Sequence, residues 1–173
     1  MTKQTILLLA TATLALAACS KKRPEVLPPA PTAGIPQEVG PGGQAGDANG
    51  AIVPGSDGDF RRSVQSNTVL FGLDQYDIDP AARAVLDSQA EWLQRNPNVR
   101  ITLEGHCDER GTREYNLALG DRRANAAKNY LAARGVSPAR MTTISYGSER
   151  PAETGSDEQA YAANRRAVTI VVG

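Results

Sequence analysis

The chain has 173 residues, which is long enough for one ordinary domain, and it carries no net formal charge. Residues 60–173 contain 15 Lys plus Arg and 14 Asp plus Glu. This balance argues against a nucleic-acid-binding domain, which needs a strongly basic face.

The first 18 residues predict an export signal, because a mostly apolar run at 6–17 is too short to span a bilayer as a permanent helix. The run ends in Leu16–Cys19, with the sequence LAAC, which resembles the lipobox of bacterial lipoproteins. The resemblance implies that residues 1–18 are removed and that Cys19 receives N-acyl and S-diacylglycerol lipid. Ser20 is not the aspartate associated with inner-membrane retention, which implies the outer membrane. The alternative is an ordinary cleavage site with an incidental cysteine.

Residues 19–59 (the tether) are rich in Pro, Gly and Ala and contain no aromatic residue from Ser20 to Asp59. Such a composition predicts a disordered linker, which would span about 35 Å as a flexible coil. If Cys19 is acylated, Cys107 is the remaining thiol, so no intramolecular disulfide can form. The folded domain, assigned to residues 60–173, must then be stabilised by its core.

From residue 60 onward, apolar periodicity and cap residues predict alternating strands and helices. The predicted elements are a short strand at Thr68–Phe71, a helix from Asp79-Pro80 to about Gln94, a strand at 99–104, a long helix at Arg113–Arg134 capped by Thr112 and closed by Gly135, a strand at Met141–Tyr146, a helical turn at Glu158–Asn164 and a central strand at Ala167–Val172. The order β-α-β-α-β-β predicts an α+β domain in which two main helices pack on one face of a mixed sheet.

The long helix carries two stripes of interest. Four apolar residues at helical spacing predict its core face: Leu117, Ala124, Ala127 and Leu131. Asn116, Gly120 and Arg123 follow at i, i+4 and i+7 on a neighbouring stripe. A glycine inside a helix costs about 1 kcal/mol relative to alanine, so Gly120 indicates the close approach of a ligand or of another backbone.

The segment before this helix offers a rival site for a metal ion. Glu104, His106 and Asp108 alternate along an extended segment, but the chain has only one histidine and no second ligand cluster. A hydrogen-bonded structural histidine is the preferred interpretation. Cys107 is interpreted as a small buried hydrophobe, since neighbouring strand residues point to opposite faces and His106 cannot serve it as a base. No motif of a wall-cleaving enzyme is present, so the sequence predicts binding without catalysis.

Residues 105–124 read GHCDERGTREYNLALGDRRA. This stretch resembles the signature of the OmpA-like C-terminal domain family, a Gly-His-x-Asp turn followed by Asn-x-x-Leu-(Ser/Gly)-x-x-Arg-Ala. Its variant DERGTREYN is similar to that of the peptidoglycan-associated lipoproteins within the family. The resemblance extends over about 69–172 and includes residues 145–151 and 164–166. It implies an OmpA-like fold and binding of peptidoglycan through the diaminopimelate of its stem peptide.

The side-chain end of diaminopimelate carries an ammonium and a carboxylate on one carbon. By the family motif, Asp108 would receive the ammonium and Arg123 would hold the carboxylate with its planar fork. Asn116 would orient the pocket. Further candidates are Gly120, which would open a notch, and the rim residues Asp74, Asn164 and Arg165; the last two have an equally good interpretation as a helix end and strand entry.

One departure from the family concerns the rim. Residues 71–74 read FGLD, where FDFD is usual, so the chain keeps the last aspartate but lacks an acidic contact at Gly72 and an aromatic contact at Leu73. The resemblance further implies the TolB protein as a partner and a role in envelope integrity and cell division. It implies no metal and no cofactor besides the lipid on Cys19. An envelope scaffold that binds protein partners without binding the wall is the alternative.

Overall fold

A computed structural model of the chain describes residues 52–172. The predicted signal, the lipidation site Cys19 and the tether as far as residue 51 lie outside the described residues. The elements are α1 (Asp57–Ser63), β1 (Thr68–Leu70), α2 (Pro80–Arg95), β2 (Arg100–His106), α3 (Arg113–Ala133), β3 (Met141–Gly147), α4 (Glu158–Asn164) and β4 (Arg166–Val172), with a short 3-10 turn at Pro138–Arg140 before β3.

The four strands form one mixed sheet in the order β1-β4-β2-β3. β2 and β3 are parallel, and β4 runs antiparallel to both β1 and β2. Ile101 and Leu103 of β2 are buried, whereas Thr102 and Glu104 between them are partly exposed. The buried face packs on α2 and α3, as the shared core of Leu86 and other helix residues with β2 shows. The predicted α+β fold, with two main helices on one face and the last strand central, is confirmed.

The predicted caps account for where the helices begin and end. Asp79 accepts a hydrogen bond from the Ala82 N–H (2.7 Å) at the start of α2, and Thr112 caps α3 in the same way. Gly135 closes α3 in the left-handed region, with φ 92°, which glycine adopts at no steric cost. Within residues 52–172, no helix has the length and apolar character needed to cross a membrane.

Helix α1 was not predicted from the sequence, and it begins three residues before the expected domain boundary at Phe60. Ser56 caps it, and the fully buried Phe60 packs edge-on against Trp92, with ring centroids 5.0 Å apart. A seven-residue helix that buries a single apolar side chain has no periodicity to detect. The described domain therefore includes the end of the segment assigned to the tether.

The core face of α3 also differs from the prediction, because Leu117 is only half buried. A stripe at seven-residue spacing drifts by about 20° per repeat around a straight helix, so Leu117 lies about 40° from Leu131, at the edge of the buried face. Asn116 and Arg123, predicted on a neighbouring stripe, lie inside the buried face together with Leu119.

Candidate ligand-binding site

A cavity of about 280 Å³ lies between the end of β2, the first turns of α3 and the loop after β1. We call it the Asp108 pocket; it is lined by Leu73, Asp74, Cys107, Asp108, Arg110, Gly111, Tyr115, Asn116, Leu119, Arg123 and Arg165. Five of the seven residues predicted to bind the ligand line it, namely Asp74, Asp108, Asn116, Arg123 and Arg165. The fold thus brings together side chains that are far apart in the sequence, such as those of Asp74 and Arg165.

Asp108 is the buried anion of the pocket, and its residue is 5% exposed. Its Oδ2 accepts from Arg110 Nη2 (2.7 Å) and Arg165 Nη1 (3.3 Å), and its Oδ1 accepts from Arg110 Nε (3.2 Å) and the Arg110 backbone N–H (3.1 Å). Burial acts to raise the pKa of Asp108, but the hydrogen bonds from Arg110 and Arg165 outweigh burial and lower the pKa below its usual value. Asp108 is therefore a carboxylate at neutral pH.

Arg165, from the C-terminal part of the chain, also pairs with Asp108. It caps the C-terminus of α4, and it donates to the Phe71 carbonyl (3.2 Å) and to Glu158 Oε1 (2.8 Å) as well as to Asp108. Its side chain is 9% exposed. Arg165 is consequently both a pocket residue and the strand-entry feature that the sequence left as an alternative.

Arg123 is fully buried, and its guanidinium is bonded to main-chain carbonyls. Its Nε donates to the Gln75 carbonyl (2.9 Å), and its Nη2 donates to the Gly72 carbonyl (3.0 Å). Its Nη1 donates to the His106 carbonyl (2.8 Å) and to Cys107 Sγ (3.4 Å). Burial lowers its pKa, but a guanidinium keeps its proton in proteins. The planar fork that was expected to be open for a ligand carboxylate instead fixes the loop after β1 against the end of β2.

Asn116 holds the loop that carries Asp108. Its Nδ2 donates to the Arg110 carbonyl (3.0 Å) and the Asp108 carbonyl (3.3 Å), and its own carbonyl accepts from Cys107 Sγ (3.3 Å). These contacts fix the loop on which Asp108 lies. Cys107 is buried, which raises the pKa of its thiol, in keeping with its interpretation as a small hydrophobe.

Gly120 is not among the residues that line the pocket. It allows the close approach of another backbone, one of the two reasons expected for a glycine inside this helix. A Cβ built on Gly120 would lie 2.9 Å from the Gly105 carbonyl oxygen and would overlap Ser145 Oγ. A Cβ on Gly105 would overlap the Gly120 carbonyl. Gly120 therefore sets the spacing between α3 and β2, which accounts for a glycine inside the helix.

Asn164 is buried outside the pocket as well. Its Oδ1 accepts from the N–H groups of Ala152 (2.7 Å) and Glu153 (3.1 Å), and its Nδ2 donates to the Glu153 carbonyl (2.8 Å). All three side-chain bonds fasten the loop after β3 to the end of α4. These bonds agree with the interpretation of Asn164 as a structural residue at a helix end.

The exposed rim contains one expected residue and two that sequence reasoning missed. Asp74, with φ 54°, accepts a hydrogen bond from the Tyr115 hydroxyl (3.1 Å). No sequence pattern pointed to Tyr115, and Arg110 lies two positions after Asp108 and just before Gly111, whose φ is 97°. A basic residue directly before a turn glycine, two positions after an aspartate, is the signal that would have identified Arg110.

His106 is 2% exposed, and neither ring nitrogen has a hydrogen-bond partner among the described residues. Its Nε2 lies 3.7 Å from Glu104 Oε2, and its ring stacks on Tyr146 at 5.5 Å. The expectation of a hydrogen-bonded histidine is therefore wrong. Within residues 52–172, no three His, Cys, Asp or Glu side chains are grouped so that they could hold a metal ion.

Comparison with known proteins places these features in a family. Residues 70–165, more than half of the chain, match the model of the OmpA family. A protein named peptidoglycan-associated lipoprotein from Rhizobium meliloti (strain 1021) is 46% identical over 161 residues, which cover 93% of this chain and 84% of that protein. A protein of the same name from Haemophilus influenzae is 53% identical over 102 residues, covering 59% of this chain and 67% of that protein.

The fold matches as well. The crystal structure of the peptidoglycan-associated lipoprotein from Burkholderia pseudomallei has a TM-score of 0.62 and 38% identity, and the match covers 66% of this chain and all of that one. The match to the family model, the relatives that align over most of the chain and the matching fold agree. The chain therefore belongs to the OmpA family and, within it, to the peptidoglycan-associated lipoproteins.

Proposed function

We propose that this protein binds peptidoglycan non-covalently through the diaminopimelate of the stem peptide and so ties the outer membrane to the cell wall. The observation that carries the proposal is the Asp108 pocket, where a buried, ionised carboxylate lies beside Arg110 and Arg165 in one cavity. The name shared by the relatives supports association with the wall. Their family is not an enzyme family, so the proposed role is binding without turnover.

The ligand chemistry follows from the charges of the pocket. The side-chain end of diaminopimelate presents an ammonium and a carboxylate a few ångströms apart, so its receptor needs one anion and one cation at similar spacing. Asp108 supplies the anion and the neighbouring guanidinium groups supply the cation. A cavity of about 280 Å³ accommodates the end of one amino acid. A stem peptide that carries lysine instead lacks the carboxylate and should bind more weakly.

Calorimetric titration of residues 20–173 with a diaminopimelate-containing stem peptide tests the proposal. This chain omits the acylation site and keeps α1 whole, which a fragment starting at Phe60 would cut. Saturable binding should be lost in Asp108→Ala and retained in Asp121→Ala, a matched control whose exposed carboxylate lies on α3 outside the pocket. A folded native chain that binds neither the peptide nor intact peptidoglycan would favour the scaffold alternative.

The anchoring half of the proposal rests on Cys19, outside the described residues. We propose that acyl chains on Cys19 hold the protein in the outer membrane, facing the periplasm, since each buried methylene adds about 0.8 kcal/mol of membrane affinity. Mass spectrometry of the purified protein should show the lipid. Cys19→Ala should move the protein from the membrane fraction to the soluble fraction, and a membrane-bound Cys19→Ala protein would contradict the anchor.

For partners, we propose TolB and other Tol-system proteins, with a role in envelope integrity and cell division. The support is membership of the family alone. If TolB uses a surface that overlaps the pocket, capture of TolB by residues 20–173 should fall as stem peptide is added. Capture that is unchanged at saturating peptide would show that the two surfaces are separate.

A further inference from the structure

The two places where the proposed function would pull on this domain lie at opposite ends of β2. The chain enters the domain at residues 52–55, and a Cβ built on Gly55 would lie 3.5 Å from Val99 Cγ2, beside the start of the strand. Asp108 follows the last residue of the same strand by two positions. If a membrane anchor holds one end and the wall holds the other, tension runs along the strands. The inference that follows rests on that proposed function.

The segment between this entry and β1 is attached to the domain at a few points in series. Its buried apolar side chains are those of Phe60 and Val64. Two hydrogen bonds of 2.8 Å follow, from Gln89 Nε2 to the Ser66 carbonyl and from the Thr169 N–H to the Asn67 carbonyl. A pull on residue 52 reaches these contacts one after another, so each contact has to resist the pull alone.

Strand β1 is attached in a different way. It runs in the same direction as β2, because β4 is antiparallel to both strands. Its hydrogen bonds to β4 lie across the strands, so tension along β1 acts on all of them at once. Beyond β1, the Phe71 N–H donates to the Arg165 carbonyl (2.8 Å), and Arg123 Nη2 donates to the Gly72 carbonyl (3.0 Å). The chain is therefore held more firmly after Thr68 than before it.

We propose that residues 56–67 form a release segment, which comes off the domain under tension while β1 and the Asp108 pocket stay intact. The folded segment lies alongside β2 from Val99 to Glu104, the residue that shares its β4 neighbour with Thr68. This part of the strand is about 17 Å long, whereas residues 56–67 reach about 40 Å when extended. Release therefore lengthens the link between membrane and wall by about 25 Å without loss of the bound peptide.

Single-molecule force spectroscopy on residues 20–173 tests this proposal. One handle is attached at the N-terminus and the other at Glu109→Cys, an exposed position beside Asp108. The buried Cys107 does not compete for the handle. We expect a reversible step of about 25 Å at low force, followed by unfolding of the remaining domain at a higher force. Unfolding in a single event, without this intermediate, would overturn the inference.

Phe60→Ala removes the first buried contact of the release segment. It should lower the force of the first step, or abolish the step, and leave the force of the second event unchanged. Arg62→Ala, on the exposed side of the same helix, is the matched control and should change neither. An effect of Phe60→Ala on the second event alone would contradict the proposal.

The direction of pulling gives a test that needs no change in the release segment. With the second handle moved from residue 109 to the C-terminus, after the end of β4, the pull separates β1 and β4 and breaks their hydrogen bonds one at a time. The first step should remain, and the second event should occur at a lower force. Equal forces for the second event in both directions would show that β1 does not resist the tension as proposed.

These force measurements need no ligand, so their failure is distinguishable from failure of the proposed function. Saturating stem peptide should raise the force of the second event and leave the first step unchanged. Without force, Phe60→Ala should bind the peptide within about twofold of native, because Phe60 lies outside the pocket. A peptide effect on the first step would overturn the inference. A native chain that binds no peptide would instead overturn the proposed function.

Discussion

Gly105 of β2 and Gly120 of α3 face each other with their backbones in contact. Neither position has room for a Cβ, so the first half of α3 lies closer to the sheet than side chains would allow. This approach carries Asn116 and Arg123, which lie one turn to either side of Gly120, to the end of β2 where Asp108 begins the pocket loop. A packing relationship between two glycines therefore positions the site.

Substitution of either glycine by alanine should destabilise the fold, even at Gly120, where alanine is the better helix former. Overpacking costs about 1–3 kcal/mol and occasionally more. We expect Gly105→Ala to cost more than Gly120→Ala, because its Cβ would overlap a carbonyl, whereas part of the Gly120 conflict is with the Ser145 hydroxyl. Gly58→Ala in α1, where the nearest heavy atom is 3.7 Å away, is the control. Urea denaturation gives the free energy of unfolding of the three variants. Equal values for all three would contradict the close approach of the Gly105 and Gly120 backbones.

Arg123→Lys should destabilise the protein despite keeping the charge. A lysine cannot reproduce bonds to three carbonyls at separate angles, so we expect a loss of about 3 kcal/mol or more. The measurement is the melting temperature of Arg123→Lys compared with that of the control Arg122→Lys, whose side chain lies on the exposed side of α3. A native-like melting temperature for Arg123→Lys would show that the carbonyl bonds contribute little.

Asn164→Ala should lower stability by about 1–3 kcal/mol, because it leaves the N–H groups of Ala152 and Glu153 without their acceptor. Asn164→Asp keeps that acceptor and should cost less. Since Asn164 lies outside the pocket, the affinity of the folded variants for the stem peptide should stay within about twofold of native. A large, selective loss of affinity would restore Asn164 as a ligand-binding residue.

Asp108 gives the protein a defined response to acid. Its pKa is lowered in the folded state, so its contribution to stability is complete above its usual value of 3.8 and is lost as the pH falls through the folded value. The difference in unfolding free energy between the native chain and Asp108→Asn should be constant from about pH 8 to 5 and shrink below about pH 4. A difference that changes near neutral pH would mean that Asp108 is not held ionised by Arg110 and Arg165.

Local signals made the larger elements of the fold predictable. Asp79, Thr112 and Gly135 have cap chemistry that depends on a few neighbouring residues, and the alternation around Ile101 shows one buried face. Helix α1 was missed because it buries one apolar residue, Phe60, whose packing partner Trp92 lies in a distant part of the sequence. Contacts between distant segments leave no periodic trace in a sequence.

Part of the cavity lining was predictable from the sequence, but the hydrogen bonds within it were not. The family motif led to Asp108 and Asn116, and both line the cavity. Which arginine pairs with Asp108 depends on a tight turn after β2 and on the arrival of Arg165 from the end of α4, neither of which spacing reveals. For the same reason, Arg123 was expected to face a ligand and is instead bonded to carbonyls.

The most direct test of ligand binding at Asp108 is to follow the backbone amide resonances of isotope-labelled residues 20–173 as a diaminopimelate stem peptide is added. We expect the largest shifts at Asp108, Arg110, Gly111, Asn116 and Arg165, which line the pocket. Asp108→Asn should abolish these shifts while the spectrum remains that of a folded protein. Shifts confined to the exposed residues Leu70, Ile144 and Val172 on the sheet strands would contradict binding at the Asp108 pocket.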